Sequence, residues 1–226
     1  MSNMNPDKKA DTTLPEDTGN ISDTDKKRLF EILDRHLLED EKPSVYLRLA
    51  SHDAVFKSNP FLMLYRLKST PQSPIHHPEG DAWTHTLMVV DEAAKVKNKS
   101  SNARAFMWAA LLHDIGKPDT TRTRKGKITS YDHDVEGYEL SRHFLSYFTD
   151  DCAFIDEVSF LVRYHMQILF VTKDLPFARI EEMKCAGDIN EVALLGLCDR
   201  LGRTNADRKA EEEQIRLFLQ KCKIKK

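Results

Sequence analysis

Cysteine, glycine and proline are all scarce in this chain, and each scarcity argues against a class of protein. Only four cysteines occur among 226 residues (Cys152, Cys185, Cys198 and Cys222), none at CxxC spacing. That speaks against a disulfide framework or a thiolate zinc knuckle and reads as reduced thiols in a cytoplasmic protein. Eight glycines and nine prolines disfavour an all-β domain built on tight turns. No stretch approaches the ~18 consecutive apolar residues of a membrane span, and the polar start carries no signal-peptide h-region. An excess of charge of one sign is missing too: 34 Lys and Arg against 36 Asp and Glu leave a formal net charge of −2. No global field gathers nucleic acid or anionic lipid, so recognition of phosphate has to be local.

What is present is an ordinary globular balance, 40% hydrophobic and 31% charged, enough for one domain with at most a small accessory bundle. Residues 1–23 hold almost no apolar side chains and are expected to be a disordered tail. From Thr24 to Leu38, Leu29, Ile32, Leu33 and Leu37 fall at helical spacing, and Pro43 can open a second helix carrying Val45, Leu47, Leu49 and Ala50. A short apolar piece, Phe61 to Leu67, precedes the loop Ser69 to Gly80. Residues 24–76 thus read as a helical N-terminal section packing on a larger domain, 77–222, that includes a C-terminal helix. That domain reads as a run of helices at roughly 81–97, 102–114, 134–148, 154–166, 177–184, 189–202 and 205–221. The alternation around Lys125-Gly126 suggests a small β-hairpin within 120–131. The fold class is all-α, and the charged end QKCKIKK reads as a solvated helix terminus.

Several ionisable side chains interrupt stripes that should be apolar. Phe106, Ala109, Ala110 and His113 run at i, i+3, i+4, i+7; Val158, Leu161, Val162 and His165 repeat that spacing; so do Val192, Leu195, Gly196 and Asp199. His85 begins a fourth stripe with Met88 and Val89. A single buried histidine is ordinarily a hydrogen-bonded core residue. A buried carboxylate costs several kcal/mol unless compensated. When four helices do this together, a shared divalent cation is the economical explanation. Neighbouring residues on a regular helix point about 100° apart, so His113 and Asp114 can reach one ion only where the helix ends. Gly116 and Pro118 mark such an end in LLHDIGKP, with Lys117 just beyond.

The ordered set His85, His113-Asp114, Asp199 resembles the HD superfamily of metal-dependent phosphohydrolases. The segments HPEGDAWTHTLMVVDEAA, AALLHDIGKPDTT, YDHDVEGYELSRHF, LVRYHM and LGLCDRLGR, spanning about 77–203, are similar to the HD domain of bacterial tRNA nucleotidyltransferases, the CCA-adding enzymes. The resemblance implies an HD-domain helical bundle, with His85, His113, Asp114 and Asp199 holding a first metal. It also implies a second metal at His133 and His165, bridged by Asp114; the other reading makes His133 a helix cap and His165 a core residue. No strand-rich segment before residue 77 supplies a nucleotidyltransferase head, so CCA polymerisation is not expected. The Glu-Asp pair that marks guanosine-tetraphosphate hydrolases of the superfamily is not found, so neither is that substrate.

The implied activity is hydrolysis of a phosphomonoester or phosphodiester of a nucleotide or RNA end by metal-activated water. Its cofactor is one or two divalent ions, manganese, iron, nickel, cobalt, zinc or magnesium. Asp114 would orient the water. Lys117 could neutralise a phosphate oxygen as a catalytic and substrate-binding group, or be an exposed lysine past a helix end. Arg200 and Arg203 could bind phosphate or make surface ion pairs. The basic strip Arg122, Arg124, Lys125, Lys127 could guide a polyanion or be a solvated loop, and His77 falls near the metal entrance. Two other readings stand beside the enzyme: a metal-stabilised module binding tRNA or another phosphorylated partner without turnover, and a purely structural metal. Ligand sets of histidine and carboxylate usually leave positions open to water, unlike closed cysteine-rich sites.

Overall fold

A computed structural model describes residues 21–223; residues 1–20 of the expected tail and 224–226 of the charged end lie outside them. The helices begin where polar side chains can cap them. In α1 (Asp23–Glu39), Ser22 and Asp25 form a reciprocal capping box, so the helix starts one residue earlier than its apolar spacing predicts. Pro43 opens α2 (Pro43–Ala50) at its first position. After the short α3 (Leu62–Tyr65), α4 (Ala82–Ala94) is capped by Asp81, whose carboxylate accepts from Thr84 N at 2.8 Å.

Next comes α5 (Ala103–Leu112), in which every residue from Ala105 to Leu112 is buried. A helix apolar all round has to be central, and α5 packs against α1, α4, α8 (Cys152–Tyr164) and α11 (Ile189–Leu201). Phe30 of α1 stacks on Trp108 at 4.5 Å and on Phe148 at 4.4 Å, and the Trp108 indole donates to Asp34 Oδ1 at 2.6 Å. Each such aromatic pair contributes ~0.5–1.5 kcal/mol beyond its area, which ties the N-terminal helix to the centre of the bundle.

Past α5 come α6 (Lys117–Thr120) and the hairpin β1 (Thr121–Arg124) and β2 (Lys127–Ser130), paired antiparallel with Arg124 opposite Lys127. Lys125 and Gly126 both take positive φ, +49° and +74°, as a two-residue hairpin turn of type I′ requires. Then α7 (His133–Ser146) packs along α8. The predicted helix 154–166 departs from what is observed: α8 ends at Tyr164, and a separate α9 (Gln167–Thr172) follows a two-residue corner. The apolar pattern runs on through that corner without a glycine or proline to mark it. The chain closes with α10 (Ile180–Ala186), α11, and α12 (Arg208–Lys223), which packs on α9 and α11.

Gly116 has a role other than ending a helix. Its φ of −79° and ψ of −13° are open to any residue, so it does not act as a left-handed cap. A Cβ there would lie 2.2 Å from His133 O and 2.6 Å from Gly137 N. The absent side chain is what lets the turn after α5 sit directly against the first turn of α7.

Candidate metal centre

His113 follows the last residue of α5 with its backbone still helical, at φ −54° and ψ −34°. The chain then tightens, with Ile115 N donating to Leu112 O at 3.0 Å and Lys117 N to Asp114 O at 2.9 Å. Both His113 and Asp114 therefore turn into the interior, each 1% exposed. Asp199 arrives on α11, His85 on α4, His133 at the start of α7 and His165 at the end of α8. All six are buried.

The histidine protons have fixed places. Nδ1 of His113 lies 2.9 Å from Ala110 O, Nδ1 of His133 lies 2.7 Å from Ser130 O, and Nδ1 of His165 lies 2.7 Å from Val162 O. A carbonyl can only accept, so each of these Nδ1 atoms carries the hydrogen, and in the neutral ring Nε2 is left as a bare lone pair. Burial and the neighbouring His165 push His133 down to about 3, and burial with the nearby His113 lowers His165. Both rings are thus neutral at pH 7, yet their Nε2 atoms face each other at 3.1 Å. Two lone pairs so placed repel unless a cation lies with them. Among the described residues, His113 Nε2 is buried with no hydrogen-bond partner.

The donor spacings suit small divalent ions. Ligand atoms about 2.1 Å from one ion lie about 3.0–3.5 Å from one another. Here His85 Nε2 is 2.9 Å from Asp199 Oδ1, and His113 Nε2 is 3.3 Å from Asp114 Oδ2. On the other side His133 Nε2 and His165 Nε2 lie 3.5 and 4.0 Å from Asp114 Oδ1. Asp114 thus faces two donor groups with its two oxygens: His85 and His113 on one side, His133 and His165 on the other. Burial opposes its ionisation, but His113 and Lys117 hold its carboxyl well below the usual range; Arg203 and His85 do the same for Asp199. Burial also works against charge on His85, and Asp199 and Glu79 outweigh it and raise its pKa.

Glu79 is the residue that sequence reasoning overlooks. Its Oε1 lies 2.9 Å from both His77 Nδ1 and His85 Nδ1, the latter at ion-pair distance although outside hydrogen-bond alignment, and its Oε2 accepts from Thr204 N at 3.3 Å. Although its side chain is only 2% exposed, His85 and His77 hold the carboxyl down at about 2. The available signal is a carboxylate in the loop two residues after His77 and six before His85. Glu79 stands against the Nδ1 edge of His85, opposite the Nε2 that meets Asp199 Oδ1 at 2.9 Å, and is placed to position the ring. Outer partners of this kind are worth ~10–100-fold in metal affinity. Calorimetric titration with Mn(II) should show Glu79→Ala weakened by about that factor and Glu79→Gln, which retains an acceptor oxygen, by less; unchanged affinity in both would reduce Glu79 to packing.

Above Asp114 opens a cavity of about 510 Å³, and Asp114, His133, His165 and Asp199 reach its floor. Lys117 Nζ lies there, 2.6 Å from Asp114 Oδ2 and 2.5 Å from Gln72 Oε1. Arg203 lines the same cavity, 3.5 Å from Asp199 Oδ2, with its buried Nε unpartnered among the described residues. His77 also lines it, kept neutral by burial and Lys117, which push it down to about 4. Arg200 is not brought there: it turns to α12 and donates to Glu211 Oε2 at 2.7 Å. Ile128, Thr129 and Ser130 of the hairpin contribute to the wall, while Arg122, Arg124, Lys125 and Lys127 are exposed and stand outside it. Among the described residues, no helix is long and apolar enough to cross a membrane.

A profile of the family described as "HD domain" matches residues 82–204, more than half of the chain. Curated relatives are described as multifunctional CCA proteins. That of Actinobacillus pleuropneumoniae serotype 5b is 40% identical over 78 residues, 34% of this chain and 18% of the relative. That of Halorhodospira halophila is 40% identical over 100 residues, 44% of this chain and 23% of the relative. A longer match, to Mannheimia succiniciproducens, is 24% identical over 180 residues, 76% of this chain and 42% of the relative. The chain therefore spans less than half the length of these relatives. The resemblance expected from the motifs, to the HD domain of CCA-adding enzymes, agrees with these matches.

Proposed function

This chain belongs to the HD-domain family, a family of metal-dependent phosphohydrolases, and on that premise we propose that it hydrolyses a phosphate ester of a nucleotide or an RNA end. The observation that carries the proposal is the convergence of buried, inward-pointing imidazole nitrogens on both oxygens of one ionised aspartate at the floor of an open cavity. Residues 24–76 would be a helical section packed on an HD domain running over 77–222. The likeness to multifunctional CCA proteins supports a nucleotide or RNA partner.

His85, His113, Asp114 and Asp199 would hold one divalent ion, and Asp114, His133 and His165 a second. The nitrogen and oxygen donor set, free of sulfur, suits manganese, iron, nickel, cobalt or zinc, with magnesium at the oxygen-rich side. Bound there, such ions lower the pKa of water toward ~7 and offset charge on the phosphoryl group. Asp114, whose two oxygens face both donor groups, would orient the attacking water. Lys117 and Arg203 reach the same floor and would supply donors to phosphate oxygens, Arg203 through a guanidinium whose Nε has no partner among the described residues. Arg200 takes no part, being committed to Glu211.

The test is turnover of p-nitrophenyl phosphate, its bis ester and 2′,3′-cyclic nucleotides by purified protein loaded in turn with each of these ions. Hydrolysis that requires the ion and ceases on chelation is the expected result. Bound metal without turnover of any ester would overturn the proposal in favour of a module that binds a phosphorylated partner.

A further inference from the structure

Exposed apolar side chains are ordinary when scattered and informative when gathered. Among the described residues eight large hydrophobic side chains are exposed, and four of them, Tyr131, Val135, Leu169 and Phe177, line the cavity above Asp114. Phe177 is 57% exposed. Beside it stands Phe170, half-buried, with ring centroids 5.6 Å apart and planes at 57°.

The backbone under Phe177 is fastened. Gln167, 1% exposed, donates its Nε2 to Phe177 O at 3.3 Å and accepts from Arg179 N at 2.8 Å. Leu175 N donates to Phe170 O at 2.8 Å on the near side. The buried amide thus holds the chain from Phe177 to Arg179, and the backbone bond to Phe170 holds it ahead of Phe177, which keeps the ring turned outward. The cavity lining is of two kinds: carboxylates, imidazoles, Lys117 and Arg203 around Asp114, and aromatic and aliphatic carbon, edged by Arg179, around Phe177. Its volume of about 510 Å³ falls within the ~300–1,000 Å³ of sites that take whole small molecules.

We propose that Phe170, Phe177 and Leu169 form a shelf that seats the planar base of a nucleoside whose phosphate lies at the floor beside Lys117 and Arg203. The proposal rests on the phosphohydrolase reading only in placing the phosphate. Its occupant has to be amphipathic, charged at one end and flat and apolar at the other, which a sugar phosphate or inorganic phosphate is not. Stacking on aromatic side chains is worth ~1–3 kcal/mol per base, or about 5–150-fold in affinity.

The experiment compares calorimetric binding of two phosphonates, one carrying adenosine and one carrying ribose alone, to the Mn(II)-loaded protein. Their C–P bonds cannot be hydrolysed, so binding is read without turnover. The adenosine compound should bind about tenfold or more tightly than the ribose compound, and Phe177→Ala should reduce that ratio to below about threefold. The exposure of Phe177 lets the variant fold, which its thermal midpoint verifies. Equal binding by the wild-type protein, or a ratio that persists in the variant, would overturn the shelf. A trinucleotide ending in the same adenosine phosphonate separates the sources: tighter binding than the mononucleotide assigns the shelf to an RNA end, equal binding to a free nucleotide. A base preference in a protein that hydrolyses no ester would leave the shelf standing and remove the phosphohydrolase reading; ester hydrolysis without base preference would do the reverse.

Discussion

Asp114→Asn is expected to lower the proposed metal-dependent turnover by about 10³-fold or more and to weaken both proposed cation sites together. The substitution keeps the side chain's size but removes the charge that faces both donor groups. Oδ2 lies 3.3 Å from His113 Nε2, and Oδ1 lies 3.5 and 4.0 Å from His133 and His165. Losing metal-activated water and the accompanying charge stabilisation forfeits several kcal/mol; ~4 kcal/mol corresponds to about 10³ in rate. The decisive readout is metal content and Mn(II) titration beside turnover. His165→Ala should weaken one site and spare the other, because His165 faces only Oδ1. Asp114→Asn should weaken both. If it lost one ion and bound the other with wild-type affinity, the carboxylate would not be shared and the two-ion reading would fall.

What can be read of this centre without coordinates follows from the cost of burial. His113 and Asp199 are legible because each completes an otherwise apolar stripe, where an uncompensated polar group is expensive. Asp114 lies off its stripe and becomes legible only through the end of α5. The all-α bundle and the hairpin at Lys125-Gly126 are legible for the same local reasons, periodicity and turn chemistry. Glu79 is not, because its loop has no period and its partners are a neighbour in the loop, His77, the helical His85 and the distant Thr204. Arg200 and Arg203 are indistinguishable by spacing; the position of Glu211 on α12 draws one away and leaves the other at the cavity. The shelf is hidden by the corner between α8 and α9, where the apolar pattern continues while the chain changes direction. Each of these depends on how loops and neighbouring elements turn toward one another, which periodicity does not encode.

Gly116→Ala is expected to be among the most damaging changes of a single methyl group, and the damage should reach the proposed second cation site. The added Cβ would stand 2.2 Å from His133 O and 2.6 Å from Gly137 N, both main-chain atoms of α7 that no rotamer change can move aside. Overpacking costs ~1–3 kcal/mol and occasionally more where the neighbours cannot yield, so about 3 kcal/mol or above is anticipated. For a domain of this size each kcal/mol lowers the melting midpoint by ~2–4 °C, giving a fall of about 6–12 °C. The relief available to the protein is to shift the start of α7 away from the turn after α5. His133 is the first residue of α7 and its ring faces His165 and Asp114, so that shift opens the second donor group. The surviving folded fraction should therefore bind its second Mn(II) more weakly by ~10–100-fold, as when a ligand's orientation is lost. Gly126→Ala is the control: its φ of +74° strains an alanine, but open space surrounds the position. That strain costs ~1–2 kcal/mol and should leave metal binding alone. If Gly116→Ala melted with the wild-type protein, α7 would have room that the close approach of His133 O denies; if it melted lower yet bound both ions normally, the turn would set stability without setting the site.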